Sequence, residues 1–160
     1  MEFQFIPKGA FAILKGSPKY PNIYGEVFFE EIPEGVMVNV YVEGLPNYTP
    51  GNPPIGPHGF HIHEFGDCTG NENEPFMNAG KHYNPNNQPH GNHAGDLPSL
   101  FSNNGVAYMT FFTNKFTIDE IIGKAVIIHE NPDDYRTEPS GNSGMSIACG
   151  VIQLSEERIY

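Results

Sequence analysis

The sequence predicts an all-β protein, a β-sandwich or barrel, from three observations. Short runs rich in Val, Ile, Phe and Tyr recur at residues 10–15, 24–31, 36–43, 60–63, 106–113, 124–129 and 150–154. Gly 18 and Pro 15 make up about a fifth of the 160 residues, against roughly 12% in average usage, so turns are many and long helices few. Turn residues separate the runs at regular intervals, the pattern of a sandwich or barrel. A chain of 17.7 kDa suits one domain with a real core and is too short for two comfortable ones.

Each element has its own signal. The run at 10–15 opens the series, and residues 31–35 (Glu-Ile-Pro-Glu-Gly) form a turn between 24–31 and 36–43. In 36–43, Val36, Val38, Val40 and Val42 alternate with Met37, Asn39 and Tyr41, the period of a strand with one buried face. Asn104-Gly105, between 97–102 and 106–112, predicts a hairpin, because a type I′ turn needs positive φ at both central residues. Only 117–122 has a brief helical pattern. Phe28, Phe29, Phe111 and Phe112 are expected in the core and on sheet faces. Two stretches break the rhythm: 67–96, crowded with Asn, Gly, Pro and His, and 130–145, with Pro132, Pro139, Gly141 and Gly144. Loops this long are functional or disordered, and three histidines in the first point to function.

Charge narrows the function classes. Asp+Glu 19 against Lys+Arg 8 gives a net charge of −11. Nucleic acid is bound by basic side chains that displace counterions, and an anionic membrane surface selects the same residues; this chain is poor in them. No apolar run approaches the ~20 residues of a membrane span. Residues 1–20 carry Glu2, Lys8, Lys15 and Lys19 with no sustained apolar stretch, which is not a signal-peptide pattern. As written this points to the cytoplasm; removal of a leader would place the protein outside it.

The histidines carry the chemistry. His61 and His63 sit on one face of the 60–63 strand, since side chains i and i+2 point the same way. Such a pair can offer two nitrogens to one metal, though same-face histidines also occur as plain surface residues. His82, His90, His93 and Asp96 fall close together and make a plausible tetrahedral Zn²⁺ set of three nitrogens and one oxygen; the alternative is a solvated polar loop. A metal would give that strandless loop a reason to be ordered. His129 ends an apolar run, either as a hydrogen-bonded rim residue or, if the fold brings it beside His61 and His63, as a further ligand.

Residues 59–67 (Gly-Phe-His-Ile-His-Glu-Phe-Gly-Asp), 79–85, 90–96, 121–130 and 141–152 together resemble the copper/zinc superoxide dismutase family. The resemblance follows the family's order from about Ala10 to Leu154. It implies a Greek-key β-sandwich, or flattened eight-stranded barrel, with two long functional loops, and a single domain over residues 1–160. It further implies copper on His61, His63, His82 and His129, and zinc on His82, His90, His93 and Asp96, with His82 bridging the two. His58 would support a loop behind the ligands, and Asp133 would link a copper histidine to a zinc histidine, fixing their tautomers. Cys68 and Cys149, the whole thiol inventory, match the family's disulfide with bacterial-type placement. The implied reaction is dismutation of superoxide to O₂ and H₂O₂ by two one-electron steps, His82 giving a proton to the product. The family includes monomers and dimers, so a homodimer is one of its possible assemblies.

One position departs from the family. Three residues before the second cysteine the family carries an arginine above the copper, and this chain has Ser146. A hydroxyl lacks the charge and the planar fork of a guanidinium. Electrostatic steering changes on-rates by roughly 10–10³, so a slower enzyme is expected unless Arg136, the one cation of 130–145, folds back to compensate. A non-catalytic copper/zinc-binding protein of the same fold is the alternative.

Overall fold

The computed structural model describes residues 7–156. Eight strands form one antiparallel sheet: β1 (Gly9–Gly16), β2 (Tyr24–Ile32), β3 (Gly35–Glu43), β4 (Phe60–His63), β5 (Ala107–Thr113), β6 (Ala125–His129), β7 (Ser146–Val151) and β8 (Gln153–Leu154). They are hydrogen-bonded in the order β4-β6-β7-β1-β2-β3-β5, with β8 pairing β1. The sheet curls into a half-barrel. After the β1–β2–β3 meander the chain crosses to β4 at the far edge and returns to β5 beside β3, which gives the Greek-key connectivity. Among the described residues helix is limited to a 3-10 turn (Met77–Ala79) and one α-helical turn, α1 (Ile118–Ile121), whose Thr117 and Glu120 form a capping box.

The strands divide into two kinds. Those of β1, β2, β3 and β5 bury one face. Val36, Val38, Val40 and Val42 are almost fully buried while their neighbours are not. Phe29 joins that core, whereas Phe28 and Phe112 lie on the exposed face of the same sheet. The strands β4 and β6 are buried on both faces, as is most of β7, which is why Ala125–His129 has no polar alternation. Phe60, Ile62, Val126 and Ile128 point into the main core. Ala125, Ile127 and Cys149 point the other way, into a smaller apolar cluster with Ala79, Phe76 and Cys68. On that second side the two long loops lie over the sheet.

Two strand assignments differ from the sequence reading by more than one residue. The last strand begins at Ser146, four residues before 150, and is split at Ile152. Residues 97–102 form no strand, although the type I′ turn is there: Asn104 and Gly105 have φ 52° and 81°, and Asn103 and Val106 exchange backbone hydrogen bonds. Beyond that single bridge the chain turns inward so that Leu97 and Leu100 reach the core. Burial of two leucines overrides continuation of the hairpin.

Candidate metal centre

The outer face of β4–β6 is where the histidines collect. In the β4–β6 register His61 opposes Ile127 and His63 opposes Ala125, and side chains opposed in a ladder share a face. His129, two residues beyond Ile127, follows on the same side. The loop after β4 brings His82 to this surface through a bridge to His63, then folds so that His90, His93 and Asp96 close over His82. The ligand atoms of His61, His63, His82 and His129 lie within 4.8 Å of one another, as do those of His82, His90, His93 and Asp96. His82 belongs to both sets.

The unpartnered atoms test whether metals fit. Among the described residues, buried side-chain nitrogens without a hydrogen-bond partner include His61 Nδ1, His63 Nε2, His82 Nε2 and His129 Nε2 on one side, and His90 Nδ1 and His93 Nδ1 on the other. Buried polar atoms are ordinarily satisfied, so such a cluster marks a missing common partner. The second set has a telling geometry. His82 Nδ1, His90 Nδ1 and His93 Nδ1 lie 3.0, 3.4 and 3.3 Å from the Asp96 carboxylate oxygens. A tetrahedron with ligand bonds of about 2.0–2.1 Å has edges of about 3.3–3.4 Å. The His82 and His93 contacts, both to Asp96 Oδ1, are close to such edges, while His90 faces Oδ2, so these four residues could hold a Zn²⁺ ion. The residues fit the metals.

In four of these rings the opposite nitrogen is tied down. His61 Nε2 donates to Asp133 Oδ2 at 2.6 Å and His90 Nε2 to Asp133 Oδ1 at 2.7 Å, so one carboxylate joins the two sets from behind. His63 Nδ1 donates to the Gly80 carbonyl at 2.9 Å and His129 Nδ1 to that of Gly144 at 3.3 Å. Each such bond selects the tautomer that leaves the inward nitrogen free to bind a metal. His58 lies outside both sets; its Nδ1 faces the carbonyls of His129 and Glu130 at 2.9 and 3.1 Å, holding the chain where it leaves β6. Burial, reinforced by neighbouring imidazoles, keeps the rings neutral: His61 and His129 are held well below the ordinary histidine range, and His63 is pushed down to about 3.

Comparison with known proteins agrees with this geometry. Residues 23–152 match the family described as copper/zinc superoxide dismutase. The chain belongs to the copper/zinc superoxide dismutase family. It is 40% identical over 141 residues to "Superoxide dismutase [Cu-Zn]" of Legionella pneumophila, covering 83% of this chain and 80% of the relative. It is 33% identical over 159 residues to "Superoxide dismutase [Cu-Zn] 2" of Aquifex aeolicus, covering 88% and 87%. A Deinococcus radiodurans "Superoxide dismutase [Cu-Zn]" is 34% identical over 150 residues, covering 82% and 78%. Membership in this family implies copper and zinc as cofactors. The structure also contains the disulfide Cys68–Cys149, which ties the long loop to β7.

A cleft of about 420 Å³ lies beside this region, its walls including His63, Met145, Ser146 and Lys81. Ser146 opens β7 opposite His129. Arg136 is exposed and is not among the residues that line the cleft. Three further residues of the site escaped the sequence reading. Tyr135 reaches across from the second loop, its hydroxyl donating to the Leu97 carbonyl at 3.2 Å and accepting from the Ser99 N–H at 2.7 Å. Glu138 accepts from the His90 N–H at 2.6 Å. Both are long-range contacts with no local signature. Lys81 did have one, being the residue directly before His82. No described helix is long and apolar enough to cross a membrane. Residues 1–6, part of the stretch read as lacking a leader, lie outside the described residues.

Proposed function

We propose that the chain dismutates superoxide to O₂ and H₂O₂, with copper on His61, His63, His82 and His129, zinc on His82, His90, His93 and Asp96, and a rate lowered by Ser146. The observation that carries this reading is His82. Its Nε2 is a buried atom without a partner on the side of His61, His63 and His129, while its Nδ1 faces Asp96 on the side of His90 and His93. One imidazole belonging to both sets would hold both ions, losing its ring proton to do so. Copper, when bound, supplies the one-electron oxidation and reduction that the reaction needs, two superoxide anions and two protons giving one O₂ and one H₂O₂.

The chain's own residues do the rest. His61, His63 and His129 as neutral imidazoles, together with His82 as an imidazolate, would hold Cu(II), which imidazole nitrogens suit. His82 Nε2 is the atom placed to hold a proton and pass it to the peroxide product, while its Nδ1 stays anchored beside Asp96. Asp133 keeps His61 and His90 in register. Ser146 offers a single hydroxyl in the cleft where the family carries an arginine, so a small anion meets a hydrogen-bond donor without a positive charge. In a molecule of net charge −11, loss of steering of this kind lowers the rate by roughly 10–10³.

Ser146 also favours a second reading, a copper/zinc-binding protein of this family that holds metal without turnover. Metal content, the copper EPR spectrum and superoxide decay measured on one fully metallated sample separate the two. We expect one copper and one zinc per chain and turnover above that of aquated copper. Replacing Ser146→Arg is expected to raise the rate and steepen its dependence on ionic strength. Turnover no faster than aquated copper at equal metal replaces the enzyme reading with the metal-holding one.

A further inference from the structure

We propose that Lys81 is the positioning residue for the anionic substrate in this chain, its ammonium supplying the positive charge of the metal cleft. The inference rests on the dismutase reading above and extends it to a residue for which neither the resemblance nor the geometry of the ligand sets assigns a role.

Cations are few among the described residues. Lys8 pairs with Asp119 at 2.7 Å and Lys19 with Glu130 at 2.9 Å. Lys124 lies over the ring of Tyr83, 4.6 Å from its centroid. Arg136 is exposed on the second loop. Among the described lysines and arginines, Lys81 alone lines the cleft that His63 opens onto. It forms no ion pair among the described residues, so its charge is not neutralised by a bound carboxylate. Glu74 is the one carboxylate in the wall of the same cleft.

The backbone of Lys81 is mounted rigidly on the site. Its N–H donates to Glu64 Oε2 at 2.9 Å, and its carbonyl accepts from the Glu64 N–H at 2.9 Å. The preceding residue, Gly80, receives the His63 Nδ1–H, and the following one is His82. The root of the side chain is therefore held between contacts to two histidines of the copper-type set, and only the flexible four-carbon stem swings. A compact ammonium on such a stem attracts an anion as a point charge, without the directional fork of a guanidinium. That suits guidance of a small anion past Ser146 to the histidine face.

The test uses copper- and zinc-loaded protein and azide, a small monoanion whose binding is read from the copper absorption and EPR spectra. Lys81→Gln is expected to weaken azide binding roughly three-fold, the scale of one charge acting through a few ångströms of hydrated cleft, and to flatten its dependence on ionic strength. Lys81→Met, equally neutral, should behave alike, and Lys81→Arg should restore both. Glu74→Gln should tighten azide. Metal content and the azide-free EPR spectrum should stay unchanged throughout, which separates a lost charge from a disturbed site. Unchanged azide affinity and salt dependence in both neutral variants would overturn the proposal. A wild-type protein that takes up no copper overturns the dismutase reading itself, and this inference with it.

Discussion

Asp133 faces two histidines at once, and that fixes what can replace it. Both His61 Nε2 and His90 Nε2 must carry a proton if their Nδ1 atoms are to bind metal, so both rings donate to the same carboxylate. An amide can accept from only one of them; its NH₂ would confront the other donor. Asp133→Asn is therefore expected to weaken both metals by roughly 10–100-fold, the usual cost of losing a group that orients a ligand. Competition against chelators of known affinity measures it, and retention of both metals at wild-type affinity would show that the carboxylate is dispensable. Gly141 explains how the loop fits around this group. Its φ is +67°, and a Cβ there would lie 1.8 Å from Asp133 Oδ1 and 2.5 Å from His90 Nε2. Gly141→Ala should accordingly behave like a milder loss of Asp133, with metal affinity reduced and the fold retained. At this scale the candidate ligands were legible because His61 and His63 share a strand face and His82, His90, His93 and Asp96 cluster in one loop, while His129 rested on the family resemblance. The second position of Asp133, against His90, depends on a loop crossing with no local pattern.

The element that the sequence described least well is β7. Ser146 to Cys149 offer only Ile147 as a strong strand former, so the strand reading started only at Gly150, ahead of Val151 and Ile152. The structure shows why small residues stand there. A Cβ on Gly150 would lie 2.3 Å from the Ile13 carbonyl, so β1 and β7 approach too closely for a side chain, and pairing on both sides overrides propensity. The period-2 signal of β3 was legible because one of its faces meets water. In β6 both faces are covered, and the uninterrupted apolar run was readable only as a buried strand. The second cover is the long loop after β4, and the disulfide pins it: Cys68 and Cys149 are 81 residues apart with Cα atoms 5.7 Å from each other. Closing a loop of that length restricts the unfolded chain by about 4.5 kcal/mol in the chain-entropy model. The double substitution Cys68→Ala with Cys149→Ala should lose stability of that order in equilibrium urea unfolding of the metal-free protein. A loss well under about 1 kcal/mol would mean that the loop is held by its other contacts. Those include the Glu64–Lys81 backbone pair and the Tyr135 bridge to Ser99.

The whole molecule gathers buried neutral imidazoles into one region of an acidic protein, which makes its metal-free stability depend on pH in a definite direction. Burial holds His58, His61, His63, His93 and His129 below the ordinary value of 6.5, with His63 at about 3. Above about pH 6.5 these rings are neutral in both folded and unfolded chains, and their full contribution to stability is present. As the pH falls below that point the unfolded chain takes up protons that the folded one refuses. Stability then declines until the folded values are reached, near 3 for His63. Each histidine still neutral in the fold adds a slope of about 1.4 kcal/mol per pH unit. A carboxylate adds to the loss at lower pH. Glu130 is raised by burial but lowered more by its hydrogen bonds from Lys19 and Tyr20, so its net position is below 4.5, and its contribution goes as the pH falls under that value. Urea unfolding of the metal-free protein across about pH 7.5 to 5 should show a plateau followed by a steep fall, beginning near the ordinary histidine value. A curve that stays flat to about pH 5 would mean that the imidazoles are protonated in the fold. They would then be unable to present the unpartnered nitrogens on which the two metal sets depend.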